Sequence, residues 1–163
     1  MAAVRILCAV ALALCGVAIA RPALAQSIRE NITAGDPEAI AAVIREKGFD
    51  VTMAEDDDGD PMLKAEGRGY SFVVFFYGCT GNRDCTTLGF YSYFADGTSD
   101  VTKLNAWNRD NRFGRAYVDK DGDPVVEMDL DLDDGGMPPL LFEDNIEFWM
   151  LVMAQYAKYV LAD

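Results

Sequence analysis

The strongest constraint on this chain is one stretch, "FFYGCTGNRDCTTLGFYSYF", running from Phe75 to Phe94. Cys79 and Cys85 stand in its middle with five residues between them, and aromatic runs flank them on both sides. Tyr70 to Tyr77 and Thr86 to Phe94 are strand-like, while "TGNRD" is turn-forming, so the stretch predicts a hairpin. Cross-strand neighbours at a hairpin mouth lie about 5 Å apart, within reach of an S–S bond. A catalytic dithiol normally has the closer Cys-X-X-Cys spacing, and a zinc site would need further ligands. The chain contains no histidine, the commonest of those ligands. Cys79 and Cys85 are therefore read as a disulfide staple rather than a redox or metal site.

That reading needs an oxidising compartment, and the first residues supply one. Arg5 precedes an apolar run of fifteen residues, Ile6 to Ala20, which Arg21 and Pro22 end. Ala23-Leu24-Ala25 then places small residues where a signal peptidase reads them. Fifteen residues at about 1.5 Å each reach only about 23 Å, short of a hydrocarbon core near 30 Å. Residues 1–25 are thus expected to be a signal peptide cut before Gln26. Residues 26–163 then form one periplasmic or secreted domain with no membrane association after cleavage. Cys8 and Cys15 depart with the leader, leaving Cys79 and Cys85 as an even pair.

The net charge of −13 becomes more negative still once Arg5 and Arg21 are lost. Nucleic acid and anionic lipid both require a basic footprint, so neither is an expected partner. Such acidity suits a cationic partner, and it also keeps an exported protein soluble.

Helix and strand signals alternate along the rest of the chain. "DPEAIAAVIREKG" predicts a helix, with Asp36 as cap, Pro37 in the first turn and Gly48 in the left-handed position beyond its end. Phe49–Met53 and Met62–Glu66 read as strands turned by "EDDDGDP". Tyr70–Tyr77 is apolar on both faces, which predicts a central strand covered on both sides. A second helix begins after Ser99 or Asp100, carries Val101, Leu104 and Trp107 as its apolar stripe, and stops at Gly114. Arg115–Val118 and Pro124–Leu132 form another hairpin about a second "DGDP" turn, and the last strand alternates: Val126, Met128, Leu130 and Leu132 against Glu127, Asp129, Asp131 and Asp133. A long helix from about Leu140 closes the chain, with Glu143 and Asp144 in its first turn. Its expected apolar face is Leu141, Asn145, Phe148, Trp149, Val152, Tyr156, Tyr159 and Val160. The order α-β-β-β(-β)-α-β-β-α, joined mostly by hairpins, predicts an α+β fold with a mostly antiparallel sheet packed on helices.

Little in the sequence points to catalysis. There is no histidine to act as a base, no glycine-rich phosphate loop and no nucleophile motif around Ser71 or Ser92. No cofactor is expected. The aspartate clusters fail the EF-hand pattern, since Pro61 and Pro124 occupy the position that demands glycine. Asp-Gly is also a common tight-turn pair, so turn chemistry accounts for them and no metal site is expected. The acidic row of Glu127 to Asp133 reads as a solvated strand face, with grip on a basic peptide or a weak hold on divalent cations as the alternatives.

"WNRDNRFGRAYVDKDGDPVVEMD", together with "FYGC" and "FEDNIEFW", resembles the YbjN-type domain, a family labelled as bacterial sensory transduction regulators, in its exported form. The resemblance covers essentially the whole mature chain. It implies a fold similar to type III secretion chaperones, frequent dimerisation and no established catalytic residues. The expected function is a non-enzymatic binding, chaperone-like or regulatory module for an unknown protein partner; the alternative is a small-ligand-binding protein or enzyme whose site no motif reveals. The candidate interaction surface is the second helix and the start of the next strand, Trp107, Asn108, Arg109, Arg112 and Arg115. Those arginines concentrate positive charge on an acidic body and would support a homodimer.

Overall fold

In a computed structural model of the chain, residues 30–162 are described. The signal peptide expected over residues 1–25 lies outside them. Helix α1 (Pro37–Glu46) begins where Asp36 accepts a hydrogen bond from the Ala39 amide at 3.0 Å, and Gly48 follows its end at φ +88°. Strands β1 (Asp50–Glu55), β2 (Pro61–Gly67), β3 (Tyr70–Tyr77) and β4 (Thr87–Tyr93) form a meander. Helix α2 (Val101–Asp110) is capped by Asp100, whose carboxylate accepts from the Thr102 amide at 2.8 Å. Strands β5 (Arg115–Val118) and β6 (Pro124–Asp131) precede helix α3 (Pro139–Val160). The result is the expected α+β fold with element order α-β-β-β-β-α-β-β-α.

The six strands form one sheet in the order β1-β2-β3-β4-β6-β5, with every neighbouring pair antiparallel. The chain leaves β4, passes through α2, lays β5 at the far edge and returns with β6 in the gap. The two hairpins at Asp56–Pro61 and Asp119–Pro124 share one hydrogen-bond set. Asp56 Oδ1 accepts from the amides of Asp58 and Asp60 at 3.0 and 2.9 Å, and Asp119 Oδ1 accepts from those of Asp121 and Asp123 at the same two distances. These aspartates are spent on organising turns, as the sequence suggests.

Register divides the sheet into two unlike faces. Leu63, Val74, Phe90 and Met128 stand in one cross-strand row, and all four are buried. The helices cover this side. Trp149 of α3 sits at the centre, its ring 5.8 Å from Phe72 and 5.7 Å from Phe90, and Ile40 and Ile44 of α1 are fully buried in the same core. Burying each such side chain stabilises the fold by about 1.5–3 kcal/mol.

Four expectations are corrected. Strand β3 is central, but its alternation of buried Phe72, Val74 and Phe76 with part-exposed Val73 and Phe75 shows that, among the described residues, helices cover one side. Helix α3 begins at Pro139, which puts Glu143 and Asp144 beyond its first turn, and its inward face is Phe142, Ile146, Trp149, Met153, Tyr156 and Val160, while Leu141 and Phe148 point outward. Its outer face mixes Leu141, Phe148 and Leu151 with Asp144, Glu147, Gln155 and Lys158, so periodicity alone does not select the inward face. Val101 stands at the open start of α2 and is 68% exposed. Gly114 does not stop α2, which ends at Asp110; a Cβ there would meet Val152 Cγ1 at 2.5 Å, so glycine is needed for close approach to α3.

Candidate functional site

The side of the sheet away from the helices carries the residues that alternate with the core set. One cross-strand row runs Lys64, Val73, Tyr91, Glu127, Arg115, and the next runs Met62, Phe75, Gly89, Asp129. Beside them stand Tyr93 opposite Val125, Tyr117 opposite the same valine, and Tyr77 opposite Thr87. Strand alternation puts all of these on one face.

Rings follow one another diagonally across β3 and β4. Tyr77 lies 6.2 Å from Phe75, Phe75 lies 6.0 Å from Tyr91, and Tyr91 lies 6.4 Å from Tyr93, centroid to centroid. Tyr77 and Tyr93 are about half exposed, at 47% and 53%. Gly89 is what lets the strip lie flat. The Tyr77 ring passes over it so closely that a Cβ would stand 2.6 Å from Cε2. Val125 is buried although it stands outside the helix-side core, enclosed where Tyr93 and Tyr117 flank it.

The β6 carboxylates edge this strip. Arg115 donates to Glu127, Tyr117 Oη donates to the other Glu127 oxygen, and the Arg115 guanidinium lies 5.6 Å from the Tyr117 ring centroid. Tyr91 Oη donates to Asp119 Oδ2 at 3.0 Å. Partial burial and these anions push the Tyr91 and Tyr117 hydroxyls well above the usual tyrosine range, and burial followed by the field of Glu127 and Asp129 pushes Tyr77 upward. All three stay protonated near neutral pH, as neutral donors. Asp119 is held low, first by the Asp123 amide and also by Tyr91, so it stays anionic. Such an arrangement presents hydroxyls, a guanidinium and carboxylates already fixed by one another.

The disulfide forms where the sequence places it, in the β3–β4 loop, with an S–S distance of 2.08 Å. Cys85 is buried against the core and Cys79 packs beside it, so the bond anchors the loop from which Tyr77 and Thr87 diverge.

The five residues read as an interaction surface each make a contact within the fold. Trp107 is only 4% exposed, wedged 5.1 Å from Tyr156 and 5.3 Å from Tyr159, because the apolar stripe of α2 packs on α3. Asn108 clamps β5: its amide donates to the Ala116 carbonyl at 2.9 Å and accepts from the Ala116 amide at 2.7 Å. Arg109 pairs with its neighbour Asp110 at 2.6 Å. Arg112 lies over the Phe113 ring, 5.1 Å from its centroid, and Arg115 belongs to the open sheet face. The aromatic strip was the larger surface, and its signal was the apolar second face of Tyr70–Tyr77.

A second exposed feature lies on α3. Leu141, Phe148 and Leu151 point outward, and Phe113 stacks on Phe148 at 4.9 Å and 29°. Phe113 takes φ +69°, a conformation that costs a bulky residue about 1–3 kcal/mol. A cleft of about 430 Å³ runs beside it, lined by Asp144, Glu147, Phe148 and Leu151. Among the described residues no group of three His, Cys, Asp or Glu is placed to hold a metal, and no helix is long and apolar enough to cross a membrane.

Two phosphoglucosamine mutases, from Geobacillus thermodenitrificans (strain NG80-2) and Geobacillus kaustophilus (strain HTA426), are 44% identical to this chain over 43 residues, 26% of this chain and 10% of each enzyme. The chain thus spans about a tenth of the length of these curated relatives. No solved structure matches it. Residues 36–162 match the family "YbjN: Putative bacterial sensory transduction regulator", which takes in the whole sheet, all three helices and the aromatic face, and the chain belongs to the YbjN family.

Proposed function

We propose that this protein is a non-enzymatic binding module of an oxidising, extracytoplasmic compartment, and that it holds a protein partner against the open face of its sheet. The carrying observation is that face: four aromatic rings in succession, Tyr77, Phe75, Tyr91 and Tyr93, on a rigid six-stranded platform that no described helix covers. Contiguous exposed apolar surface with a polar rim is the usual mark of a protein interface. The family description, that of a regulator, supports a binding or regulatory role at a coarse level. The disulfide and the leader-like first residues support export. Against the enzyme alternative, the one polar residue in the buried set is Ser92, whose hydroxyl donates to the Ser71 carbonyl at 2.9 Å, so no described carboxylate is fully buried. The likeness to the mutases spans too little of those enzymes to bring their chemistry with it.

Photo-crosslinking tests this reading. Benzoylphenylalanine in place of Tyr93, in cells exporting the chain, should give a discrete protein adduct that is missing when the same group replaces exposed Val101. Adducts absent from both positions, or identical at both, would overturn it.

A second copy of the chain is also favoured as a partner, by the outward ridge of Leu141, Phe148 and Leu151 with Phe113 stacked on it. Arg112 beside Phe113 and Asp144 one turn before Phe148 give this patch both signs of charge, which lets it be self-complementary about a two-fold axis. Sedimentation velocity should find a dimer at tens of micromolar that Phe148→Ser or Arg112→Glu shifts to monomer. A wild-type chain monomeric at that concentration would end the homodimer reading.

A further inference from the structure

We propose that the occupant of the open face is an extended, arginine- or lysine-rich polypeptide segment, laid along β6 with its cationic side chains seated between tyrosine rings and the β6 carboxylates. This rests on the binding-module reading above and adds the chemistry of the partner. The face already holds one cation in this manner. Arg115 lies over the Tyr117 ring and pairs with Glu127, and Tyr117 donates to the same carboxylate, so ring, guanidinium and carboxylate form a closed unit.

The same components recur two residues along β6 without a cation. Asp129 is exposed, forms no ion pair among the described residues, and stands across from Gly89, over which the Tyr77 ring is laid. Tyr77 and Asp129 thus set a ring beside a carboxylate again, without the hydroxyl bond that joins Tyr117 to Glu127, and no described cation pairs with that carboxylate. A guanidinium or ammonium over a tyrosine ring gains from the ring's quadrupole, and the adjacent carboxylate completes the contact. Along one strand face, Asp129 and Asp131, both exposed and in no ion pair among the described residues, are about 6.8 Å apart, which is also the repeat of same-side residues in an extended peptide. A segment with a basic residue at every second position therefore matches the face in both charge and pitch.

Charge decides against the other ligands an aromatic platform can take. Single-stranded nucleic acid stacks on such rings, but only within a basic groove, and this chain carries a net charge of −13. An acidic or neutral peptide would leave the Asp129 carboxylate unmatched beside the rings.

The test uses fluorescence anisotropy with a labelled peptide of five Arg-Ser repeats, and Glu-Ser and Gly-Ser repeats of the same length as comparisons. At physiological ionic strength the Arg-Ser peptide should bind and the other two should not. Asp129→Asn and Tyr77→Ala should each weaken binding about five-fold, the scale of one lost carboxylate or ring contact with a cation. Glu46→Gln on α1 removes the same charge away from the face and should change affinity less than about two-fold, since screening confines surface charge to about 8 Å. Absence of binding, or equal weakening by Asp129→Asn and Glu46→Gln, would overturn the proposal, the latter by exposing mere attraction to a negative protein. If Tyr77→Ala has no effect while Asp129→Asn does, the seating of the cation on the ring is wrong and the proposal fails as stated. A crosslinked partner at Tyr93 with no Arg-Ser binding would sink the cationic segment and keep the binding module; Arg-Ser binding with no partner adduct would sink the module.

Discussion

Asn108 separates two roles that the sequence leaves superimposed, a contact for a partner and a clamp within the fold. Strand β5 is an edge strand, paired with β6 on one side only. Ala116 in its middle is buried, so its outward amide and carbonyl need partners that no neighbouring strand supplies. The Asn108 amide provides both, at 2.7 and 2.9 Å, from the C-terminal half of α2. Asn108→Ala removes two neutral hydrogen bonds, worth about 1 kcal/mol each, and exposes two backbone groups to a desolvation cost of about 1–3 kcal/mol each where water cannot replace the side chain. Asn108 itself lies at the surface, so water replaces part of the loss, and the working figure is about 2–3 kcal/mol. For a domain of this size that lowers Tm by roughly 6–12 °C. Urea unfolding followed by tryptophan fluorescence measures it, because Trp107 sits one residue away. Asn108→Asp keeps the bond from the Ala116 amide but sets a carboxylate oxygen against the Ala116 carbonyl, and that repulsion should bring its cost close to that of the alanine variant. A loss below about 0.5 kcal/mol in both variants would refute the clamp and return Asn108 to the partner surface.

Replacing Cys79 and Cys85 by serine should lower stability by about 2 kcal/mol without unfolding the domain, because the loop that the bond closes is short; alkylation before and after reduction shows whether the pair is bonded. The Tyr156 hydroxyl is buried without a hydrogen-bond partner and its ionisation is pushed up by that burial, so Tyr156→Phe should leave stability unchanged or raise it by up to about 1 kcal/mol, and a loss of that size would show that the hydroxyl has a partner. Asp119 is held below the ordinary carboxylate range by the Asp123 amide first and by Tyr91 as well, so its stabilisation is present above about pH 4 and is lost as pH falls through its lowered folded value. Asp119→Asn should therefore flatten the acid limb of the stability profile, and an unchanged limb would contradict the assignment.

Local chemistry was readable from residues alone. Asp36 and Asp100 cap helices because a carboxylate next to free amides needs no distant partner. The two "DGDP" turns close alike because each aspartate bonds amides only two and four residues ahead. The Cys79–Cys85 bond follows from one hairpin. The alternation in β6 gave its buried side, since a strand repeats every second residue.

Other features depended on contacts between distant segments. The strand order, with β6 between β4 and β5, is not encoded in any one turn. Outward Leu141 and Phe148 and inward Phe142 and Ile146 are equally apolar, and only docking against Phe72 and Phe90 through Trp149 fixes the rotation of α3. Arg109, Arg112 and Arg115 look like one basic group along the chain, yet each takes a different partner, Asp110, the Phe113 ring and Glu127. The second face of Tyr70–Tyr77 reads as buried, but rings brought together from β3 and β4 shield one another without a covering layer. Hydrophobicity in the sequence records how much water a side chain avoids; whether a helix, a neighbouring ring or a partner excludes that water is decided by tertiary packing.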